Sequence, residues 1–491
     1  MGIEFDDALE VVGGLGYIQK VHLLALLVIQ LFHAPFIMTL AFVGREPVFE
    51  CKDRPSMNPC QLHPPCQEFV YNSDFTSIVS EWDLVCEKKR DSSNAQSLVM
   101  FGFLAGVLVL GRTSDKYGRL KTYFWGTLAM VVAQLGSGFT TNIYQYAVSR
   151  FLVGFFYGGG GLAGHILFVE ALLPKTRALI STVFHCAFAL GIAVFGLMAY
   201  FARDWRHLTF LTCVPMIFLL IIPCVVPESA RWLAMNGQID RAEAILMYMG
   251  KKNGIKVTRA MVTLVDKRED HKEKTSEGMM DLFRTPVMRM RMVTLMFTWF
   301  TACMAYDGLT FGVSSVGKNV YLSFALSGLV EIPACVFSIY TLDRFGRRPT
   351  MAGSMLIAGF ACIGVVVLPK SAETTVFSAQ TCLALIGKMG VCVAFTTAYL
   401  FSNELLPTVL RTTAMGVCSM SARVGGMIAP ILPPFGESIS YLAFGITALV
   451  SACLDLRLPE SLNKPLPETI ADVEKKTLKV SLKADRINNI S

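Results

Sequence analysis

Four ionisable side chains stand inside long apolar stretches of the second half of the chain. Glu331, Lys388 and Arg423 lie near the middle of such stretches, and Asp307 lies in the second half of another. A charge halfway through a membrane helix costs about 2.5–3.5 kcal/mol on insertion scales, so each group should face a cavity or an oppositely charged partner. Arginine stays protonated and matches a carboxylate with its planar fork, so Arg423 predicts a ligand that carries a carboxylate.

Aromatic residues recur at helical spacing beside these charges. Trp299 and Tyr306 are seven residues apart, and Phe395 and Tyr399 follow Lys388 by seven and eleven residues. Each set therefore shares one helix face. Aromatic walls around fixed charges suit amphipathic organic ions, through stacking and cation–π contact. The candidate substrate-binding residues of this half are Trp299, Tyr306, Asp307, Glu331, Lys388, Phe395, Tyr399, Ser419 and Arg423.

A packing role is the alternative for the same residues. The aromatic side chains could be core residues, and the charges could form a structural ion pair. For Asp307 two roles stay open: a second acid for an ammonium group, or a residue that couples transport to an ion. In the first half of the chain, His185 is a further candidate for substrate binding, although a hydrogen-bonded packing histidine explains it equally well.

The elements that must position these residues are membrane helices. The chain is 53% hydrophobic and 16% charged, whereas soluble domains carry about 25% charged residues. Its apolar runs are continuous and long enough to cross a bilayer, which excludes a disordered chain, a secreted disulfide scaffold, a soluble multidomain enzyme and an outer-membrane barrel. We predict an all-α polytopic membrane protein in the lipid bilayer. Its twelve transmembrane helices are expected at 21–44, 96–113, 122–140, 144–169, 178–202, 208–226, 292–315, 319–341, 350–369, 376–401, 412–435 and 440–456.

Basic residues near the ends of the runs set the orientation. Lys and Arg concentrate in the connections after the second, fourth and eighth runs. Two groups are exceptions, Arg203 and Arg206 after the fifth run and Lys88, Lys89 and Arg90 before the second. These connections and both termini should therefore be cytosolic, and we expect the membrane to be the plasma membrane. The net charge of +7 is modest and dispersed, so no nucleic-acid partner is expected.

The chain is predicted to have five parts. They are a cytosolic N-terminus at 1–20, a six-helix half at 21–226 with an outer loop at 45–95, a cytosolic linker at 227–291, a second six-helix half at 292–456 and a cytosolic tail at 457–491. One apolar face in the linker predicts an amphipathic helix that lies on the membrane surface or against the bundle. This face consists of Ile239, Ala242, Ile245, Leu246 and Met249.

Short motifs repeat between the two halves. Asp-Lys-Tyr-Gly-Arg at 115–119 returns as Asp-Arg-Phe-Gly-Arg at 343–347, and Pro-Glu-Ser at 227–229 returns at 459–461. Repeated halves indicate two pseudo-symmetric six-helix bundles that work by alternating access. Acids beside bases at cytosolic helix ends suit a reversible latch. The predicted gating residues are Asp115, Arg119, Glu170, Arg177, Asp343, Arg347, Glu404 and Arg411.

The outer loop carries four cysteines, Cys51, Cys60, Cys66 and Cys86. Four thiols in one extracellular segment predict two disulfides, with three pairings that the sequence leaves open. Their spacing suits no zinc site well. The sequence has no cofactor loop, nucleotide-binding loop or nucleophile–base set, so we expect no metal, no cofactor and no enzymatic activity.

The motifs resemble those of a known family. Gly-Arg-Thr-Ser-Asp-Lys-Tyr-Gly-Arg at 111–119 is similar to a signature of the major facilitator superfamily, and Pro-Glu-Ser-Ala-Arg-Trp-Leu at 227–233 is similar to sugar and organic-ion porters. The cysteine loop, with Ser-Glu-Trp-Asp-Leu-Val-Cys at 80–86, resembles the organic cation, anion and zwitterion transporter family. The resemblance implies the major facilitator fold and a secondary transporter of small organic ions.

The resemblance also bears on the substrate. Ser-Ala-Arg-Val-Gly-Gly at 421–426 has arginine where cation-type members carry an acid, and Cys335 stands where several anion-type members carry lysine. A cation and an acid facing one cavity suit a zwitterion, so solutes of the carnitine or ergothioneine type are the expected substrates. Organic anions, organic cations and a non-transporting membrane sensor stay as alternatives, and coupling to an ion stays open.

Overall fold

The computed structural model describes residues 5–52, 59–61, 66, 68–72, 74–219, 226–264, 279–316, 319–368, 378–407, 410–464, 467, 470 and 473–474. The chain separates into two compact units, Met1–Lys274 and Thr275–Ser491. The boundary between them falls inside the linker predicted at 227–291. The first part of that linker is therefore built into the first unit.

The first unit is helical apart from one short hairpin. Its helices are α1 Phe5–Val11, α2 Tyr17–Met38, α3 Leu40–Val43, α4 Ile78–Glu81, α5 Lys89–Tyr117, α6 Arg119–Ser137, α7 Ile143–Phe156, α8 Leu162–Glu170, α9 Pro174–Phe201, α10 Trp205–Leu219, α11 Ala230–Met235 and α12 Ile239–Lys252. The antiparallel hairpin pairs β1 Val48–Cys51 with β2 Phe69–Asn72. A π-helical segment, Tyr157–Gly161, joins α7 to α8. Short 3-10 turns lie at Pro59–Gln61, Cys86–Lys88 and Arg259–Met261.

The second unit is helical throughout its described part. Its helices are α13 Pro286–Val316, α14 Val320–Leu329, α15 Glu331–Phe345, α16 Arg347–Val367, α17 Ala379–Leu405, α18 Arg411–Ile428 and α19 Glu437–Asp455. Short 3-10 turns lie at Met279–Phe283, Ala429–Ile431 and Pro433–Phe435.

The helices confirm the predicted all-α membrane architecture. Within the described ranges, nine helical spans are long and apolar enough to cross a membrane. The other predicted runs, 122–140, 208–226 and 292–315, overlap α6, α10 and α13, and residues 220–225 of the second of these runs lie outside the described residues. Most helices extend beyond their apolar runs, because a helix continues into polar residues past the membrane: α5 spans Lys89–Tyr117 where the run was 96–113. The outer loop is correspondingly shorter than predicted at its C-terminal end.

Glycines permit close packing between α5 and the end of α7. A Cβ atom at Gly154 would lie 2.0 Å from the carbonyl oxygen of Val99, and one at Gly158 would lie 2.3 Å from that of Phe103. Any side chain at either position would therefore push the two helices apart. Because glycine has no side chain, the two backbones can touch. Membrane helices commonly pack in this way, since no hydrophobic effect drives them together and small residues allow close van der Waals contact.

The amphipathic helix predicted in the linker is α12, and its apolar face packs on protein. Ala242, Leu246 and Met249 are buried with Leu9 of α1 and Trp232 of α11 in one apolar cluster. Of the two predicted positions, this favours the one against protein. The N-terminal helix, which the sequence left without a role, covers the same face.

Two disulfides brace the outer loop, and the structure settles their pairing. Cys51 bonds to Cys66, and Cys60 bonds to Cys86. The loop is also fixed to the start of α10, because the Trp205 indole N–H donates to the Glu81 carboxylate at 2.6 Å. The loop is therefore tied to its own unit by covalent and polar contacts.

Candidate functional site

A buried ion pair joins α15 and α17. The Nζ atom of Lys388 lies 2.9 Å from Oε1 of Glu331, and the two side chains are 0% and 6% exposed. Lys388 also donates hydrogen bonds to the hydroxyl oxygens of Thr310, at 2.9 Å, and Ser327, at 3.4 Å. An ammonium group has three donors, so these acceptors satisfy it.

Glu331 lies at a break between α14 and α15. Pro333 has no N–H, so the carbonyl of Leu329 loses its partner within the helix, and α14 ends at that residue. Glu331 therefore stands in the first turn of α15, where the helix dipole favours a negative charge. The Tyr306 hydroxyl donates to the Glu331 carboxylate, at 2.8 and 2.9 Å from its two oxygens. The pair is thus a fully hydrogen-bonded unit, which is the ion-pair alternative that the sequence left open for these charges.

The predicted aromatic residues of α13 and α17 form one continuous cluster. The ring centroids of Trp299 and Tyr399 are 4.3 Å apart, and those of Phe395 and Tyr399 are 5.4 Å apart. Tyr306 stacks on Phe395 at 6.2 Å, and the Lys388 ammonium lies 5.0 Å from the Tyr306 ring centroid. The aromatic surface therefore reaches the ion pair, as the helical spacing predicted.

Asp307 is a second acid beside this cluster, and it has few partners. Its side chain is 3% exposed. Its one hydrogen bond in the described part of the chain comes from the Cys303 thiol, at 3.8 Å. The positive charges of Arg423 and Lys388 act on it. Asp307 and Arg423 are therefore opposite charges within electrostatic range of each other.

Arg423 lies on α18, and its charge also acts on Tyr399 of the aromatic cluster. Ser421 fixes the helix next to it, because its hydroxyl donates to the Met296 carbonyl of α13 at 2.8 Å. Ser419 stands one turn before Arg423 and is half-buried, and its side chain makes no hydrogen bond among the described residues. The structure therefore places Arg423 near Asp307 and Tyr399.

His185, the candidate of the first unit, lies on α9 and belongs to a different group of residues. It is close enough to His165 of α8 for their charges to interact. The His165 ring packs on Phe184, with centroids 4.9 Å apart. Its role in substrate binding stays a prediction.

Three predicted gating residues of the first unit, Asp115, Arg119 and Glu170, lie together with Glu228 and Ser229. We name these five residues the first motif cluster. The Glu228 carboxylate accepts the backbone N–H groups of Arg119, at 3.0 Å, and of the next residue, at 2.9 Å, which are the first of α6. Arg119 pairs with Asp115 and lies 3.6 Å from Glu170. Ser229 donates to Glu170.

The second unit repeats this arrangement in a second motif cluster of Arg347, Glu404, Glu460 and Ser461. Glu460 accepts the backbone N–H groups of Arg347, at 2.9 Å, and Arg348, at 3.0 Å, which begin α16. Arg347 pairs with Glu404 at 3.0 Å, and Ser461 donates to Glu404 at 2.7 Å. The two motif clusters are therefore built on the same plan.

The backbone N–H groups around Glu460 affect its titration. Partial burial raises the pKa of Glu460, but hydrogen bonds from backbone N–H groups, including those of Arg347 and Arg348, lower it more. The net pKa lies below the usual value of a glutamate. The free N–H groups of the first helical turn stabilise the ionised carboxylate in the same way as an N-cap side chain.

Three predicted gating residues stand apart from these networks. Asp343 is exposed and makes no ion pair within the described residues. Arg411 donates to the Leu406 carbonyl at 3.4 Å. Arg177 lies on α9, and its side chain is outside the described residues.

Sequence reasoning missed the acids that hold the helix starts. Glu228 and Glu460 stand in the repeated Pro-Glu-Ser motif, which was used only as a mark of the repeat. It also missed Asp455, the last residue of α19, which is fully buried and accepts hydrogen bonds from Thr298, at 2.7 Å, and Ser451, at 3.4 Å. Its position at the end of an apolar run was the signal.

Known proteins resemble this chain along nearly all of its length. The family model described as "Sugar (and other) transporter" matches residues 65–468. Solute carrier family 22 member 15-like of Xenopus laevis is 34% identical, over 96% of this chain and 96% of its own. Human organic anion transporter 3 is 33% identical, over 97% and 94%. The Drosophila melanogaster organic cation transporter protein is 33% identical, over 83% and 76%.

Solved structures resemble the chain in fold. The xylose transporter XylE from E. coli, in its inward open conformation, matches with a TM-score of 0.65 at 17% identity, covering 94% of this chain and 99% of that one. At this identity the likeness concerns the fold alone. It agrees with the all-α architecture of the two units.

Proposed function

The chain belongs to the organic cation, anion and zwitterion transporter family, solute carrier family 22 of the major facilitator superfamily, and from that premise we propose that its substrates are small zwitterions that carry a carboxylate. The chain is an integral membrane protein and a secondary transporter. Carnitine and ergothioneine are the type of solute proposed. Transport would proceed by alternating access.

The observation that supports this proposal is the pair of opposite charges at Arg423 and Asp307. They lie within electrostatic range of each other. Two such charges can take the two ends of one zwitterion: the guanidinium fork binds the carboxylate, and the acid attracts the cationic group. Glu331 and Lys388 neutralise each other, so that pair favours neither sign of ligand. The aromatic cluster adds stacking and cation–π surface for the organic part of the solute.

Zwitterions fit this set of charges better than ions of one sign. A pure cation would meet Arg423 without a carboxylate to offset the repulsion, and a pure anion would meet Asp307 in the same way. Relatives named for organic anions and for organic cations match the chain about equally well. Their names therefore do not choose between these two classes, and both are outcomes of the test.

The test compares two substrates in one Arg423 variant. Arg423→Ala should reduce uptake of carnitine more than roughly tenfold, because losing one partner of a buried charge contact typically costs about 2–5 kcal/mol. Uptake of tetraethylammonium, a cation without a carboxylate, should fall much less. Uptake would be measured in expressing cells, with surface expression quantified in parallel.

Arg423→Lys is the matched variant for this test. It keeps the positive charge but loses the planar fork, so carnitine uptake should fall between wild type and Arg423→Ala. Equal losses for both substrates in Arg423→Ala, at normal surface expression, would show that Arg423 has a structural role. No saturable uptake of carnitine or ergothioneine by the wild type would reject the zwitterion proposal.

We place the protein in the plasma membrane with both termini in the cytosol. The orientation is supported by the concentration of Lys and Arg after the second, fourth and eighth predicted runs. A tag at either terminus that antibodies reach without permeabilising the cells would contradict this orientation.

A further inference from the structure

A positive charge is buried in the first unit at Arg150 of α7. The side chain is 0% exposed, and its guanidinium donates to Oε1 of Gln134 at 2.5 Å and to the Phe36 carbonyl, which are both neutral acceptors. The titratable groups that act on it are Tyr146 and Cys213, which are uncharged near neutral pH. In the part of the chain that the structure describes, no carboxylate pairs with this guanidinium. A buried charge without a counter-ion is costly in a membrane interior.

Two hydrogen-bond donors remain at this place. The Nε–H group of Arg150 and the hydroxyl group of Tyr146 have no hydrogen-bond partner among the described residues. Both side chains are 0% exposed, so bulk water does not reach them. The two residues are four positions apart on α7, and a helical side chain leans over the preceding turn, so the guanidinium lies on the same face as the phenol. A single acceptor between them would satisfy both donors.

The polar side chains beside Arg150 are engaged elsewhere. The amide nitrogen of Gln134 donates to the hydroxyl oxygens of Thr39, at 3.3 Å, and Thr212, at 3.4 Å, which leaves its oxygen for Arg150. The two hydroxyl groups in turn donate to backbone carbonyls about one turn earlier, at 2.6 and 2.7 Å. Each hydroxyl has one hydrogen, which is used in this way. The network therefore fixes Gln134 and supplies no negative charge.

The outer loop covers these donors. Tyr146 packs against the indole rings of Trp82 in the outer loop and Trp205 at the start of α10, with ring centroids 5.9 Å away in each case. The neighbouring acid, Glu81, accepts a hydrogen bond from the Trp205 indole at 2.6 Å and pairs with Arg206. Its negative charge is therefore compensated at the loop. An anion beside Tyr146 would lie under two aromatic rings, shielded from water.

We propose that Arg150 and Tyr146 bind a halide ion, chloride under physiological conditions, beneath the outer loop. The ion neutralises the guanidinium and accepts hydrogen bonds from its Nε–H group and from the phenol. A monatomic anion accepts from any direction, so it suits two donors on different side chains. Sulfate would bring two negative charges and four oxygen atoms to one positive charge and two donors. Binding of the halide does not depend on the proposed substrate, because it concerns the free protein.

The test measures thermal unfolding of the purified full chain in detergent while sodium chloride replaces sodium gluconate at constant ionic strength. Gluconate is a large organic anion and does not fit beneath the two indole rings. A ligand that binds only the folded state raises Tm once its concentration exceeds Kd. The Tm of the wild type should therefore rise with chloride, and bromide should act in the same way. Equal Tm values in chloride and gluconate would overturn the proposal.

Tyr146→Phe is the decisive variant, because it keeps the ring between the two indoles and removes the hydroxyl donor. A hydrogen bond to a charged group changes binding about tenfold or more, so the rise in Tm should begin at about tenfold higher chloride. Tyr441→Phe is the matched control. Tyr441 of α19 is also a buried phenol whose hydroxyl has no partner among the described residues, and the charges that act on it are those of Cys362 and Glu437. Its variant should keep the wild-type response to chloride.

Anomalous diffraction from crystals grown in bromide locates the ion independently. A peak is expected beside Arg150 and Tyr146, and Tyr146→Phe should weaken it. An unchanged chloride response in Tyr146→Phe, or an equal loss in Tyr441→Phe, would overturn the proposal. A bromide peak at another basic side chain, with none beside Arg150, would do the same.

Discussion

The two units share their motif clusters but differ in the membrane interior. In each cluster a glutamate of Pro-Glu-Ser accepts the first N–H groups of a helix, an arginine lies beside a glutamate, and a serine donates to that glutamate. The repetition extends to the backbone, because Gly118 and Gly346 join the paired helices with φ of 115° and 96°. Those positive φ values suit glycine and bring each helix start onto its glutamate.

The membrane interiors of the two units stabilise buried charges in different ways. The first unit buries Arg150 completely, and its guanidinium donates to neutral acceptors, Oε1 of Gln134 at 2.5 Å and the Phe36 carbonyl in the last turn of α2. Carbonyl groups at a helix C-terminus carry a partial negative charge that stabilises a cation. Among the described residues of this unit, no carboxylate pairs with Arg150. The second unit instead buries acids and bases together, on α13, α15, α17 and α18.

If the proposed function is correct, this difference gives the two units different tasks. A cation held by neutral dipoles has its acceptors in place and offers a substrate no acid. Buried charges of both signs can change partners when a charged solute arrives. The second unit therefore carries the side chains suited to recognition, while the shared motif clusters stabilise helix starts in both units. Substitutions in corresponding places can test this contrast.

The largest expected effect comes from breaking the buried ion pair. Glu331→Gln leaves the Lys388 ammonium without its carboxylate, and removing one member of a buried pair typically costs about 3–5 kcal/mol. The folded protein should lose most of its thermal stability in detergent. Replacing both residues, with Glu331→Gln and Lys388→Met together, should restore much of that loss. A double variant as unstable as the single one would show that the pair does not act as a unit.

The corresponding change in the first unit should be milder. Gln134→Met removes one neutral acceptor from Arg150, and a hydrogen bond to a charged group contributes about 1.5–3 kcal/mol. The same thermal measurement would compare the two variants. If Gln134→Met destabilised the protein more than Glu331→Gln does, the stability of the first unit would depend on its buried charge more than that of the second unit. That result would contradict the comparison of the two interiors.

An intermediate effect is expected at the helix starts. Glu460→Gln removes the anion from the N-terminus of α16 and should cost about 1 kcal/mol. Because the folded pKa of Glu460 lies below its usual value, this contribution is present above that usual value and disappears as the pH falls through the folded pKa. The stability difference between wild type and variant should therefore shrink under acid conditions.

Glu228→Gln is the matched variant at the start of α6. It should cause a similar loss of stability near neutral pH, because Glu228 also accepts hydrogen bonds from two backbone N–H groups that begin a helix. Thermal unfolding of the purified proteins measures both. A Glu460 effect that persists unchanged in acid would mean that the side chain acts through shape and not through its charge.

The membrane helices could be predicted from the sequence because each one depends on its own local run of apolar residues. A continuous apolar run identifies its own span: the run at 144–169 corresponds to Ile143–Glu170 in the structure. The π-helical segment inside that span, five residues at Tyr157–Gly161, has no such signature in hydropathy. Disulfide pairing depends on how the loop folds, so four cysteines gave three equal choices.

The contacts of the site were harder to predict, because they join helices that are far apart in the sequence. Lys388 and Glu331 could be listed as charged residues, but their pairing depends on how α15 and α17 pack. The role of Glu228 could not be predicted for another reason. Its partners are backbone N–H groups, which every residue except proline has and which no sequence motif marks. Sequence reasoning therefore found the side chains of the site and missed the partners that tertiary packing supplies.

The smallest effect is expected where the two motif clusters differ. Asp115 pairs with Arg119, whereas its counterpart Asp343 makes no ion pair among the described residues and Arg347 is held by Glu404. The Asp115 side chain is 70% exposed, and an exposed helical pair of this kind contributes about 0.3–0.5 kcal/mol.

If the pair forms in only one state of the transport cycle, Asp115→Asn shifts the balance between states by that amount. Uptake should then change about twofold, since 1.36 kcal/mol corresponds to tenfold, with surface expression near wild type. Asp343→Asn should change uptake less, because no pair is lost. Initial uptake rates normalised to surface protein compare the two variants. Equal changes in both, or wild-type uptake in Asp115→Asn, would remove the latch role from Asp115.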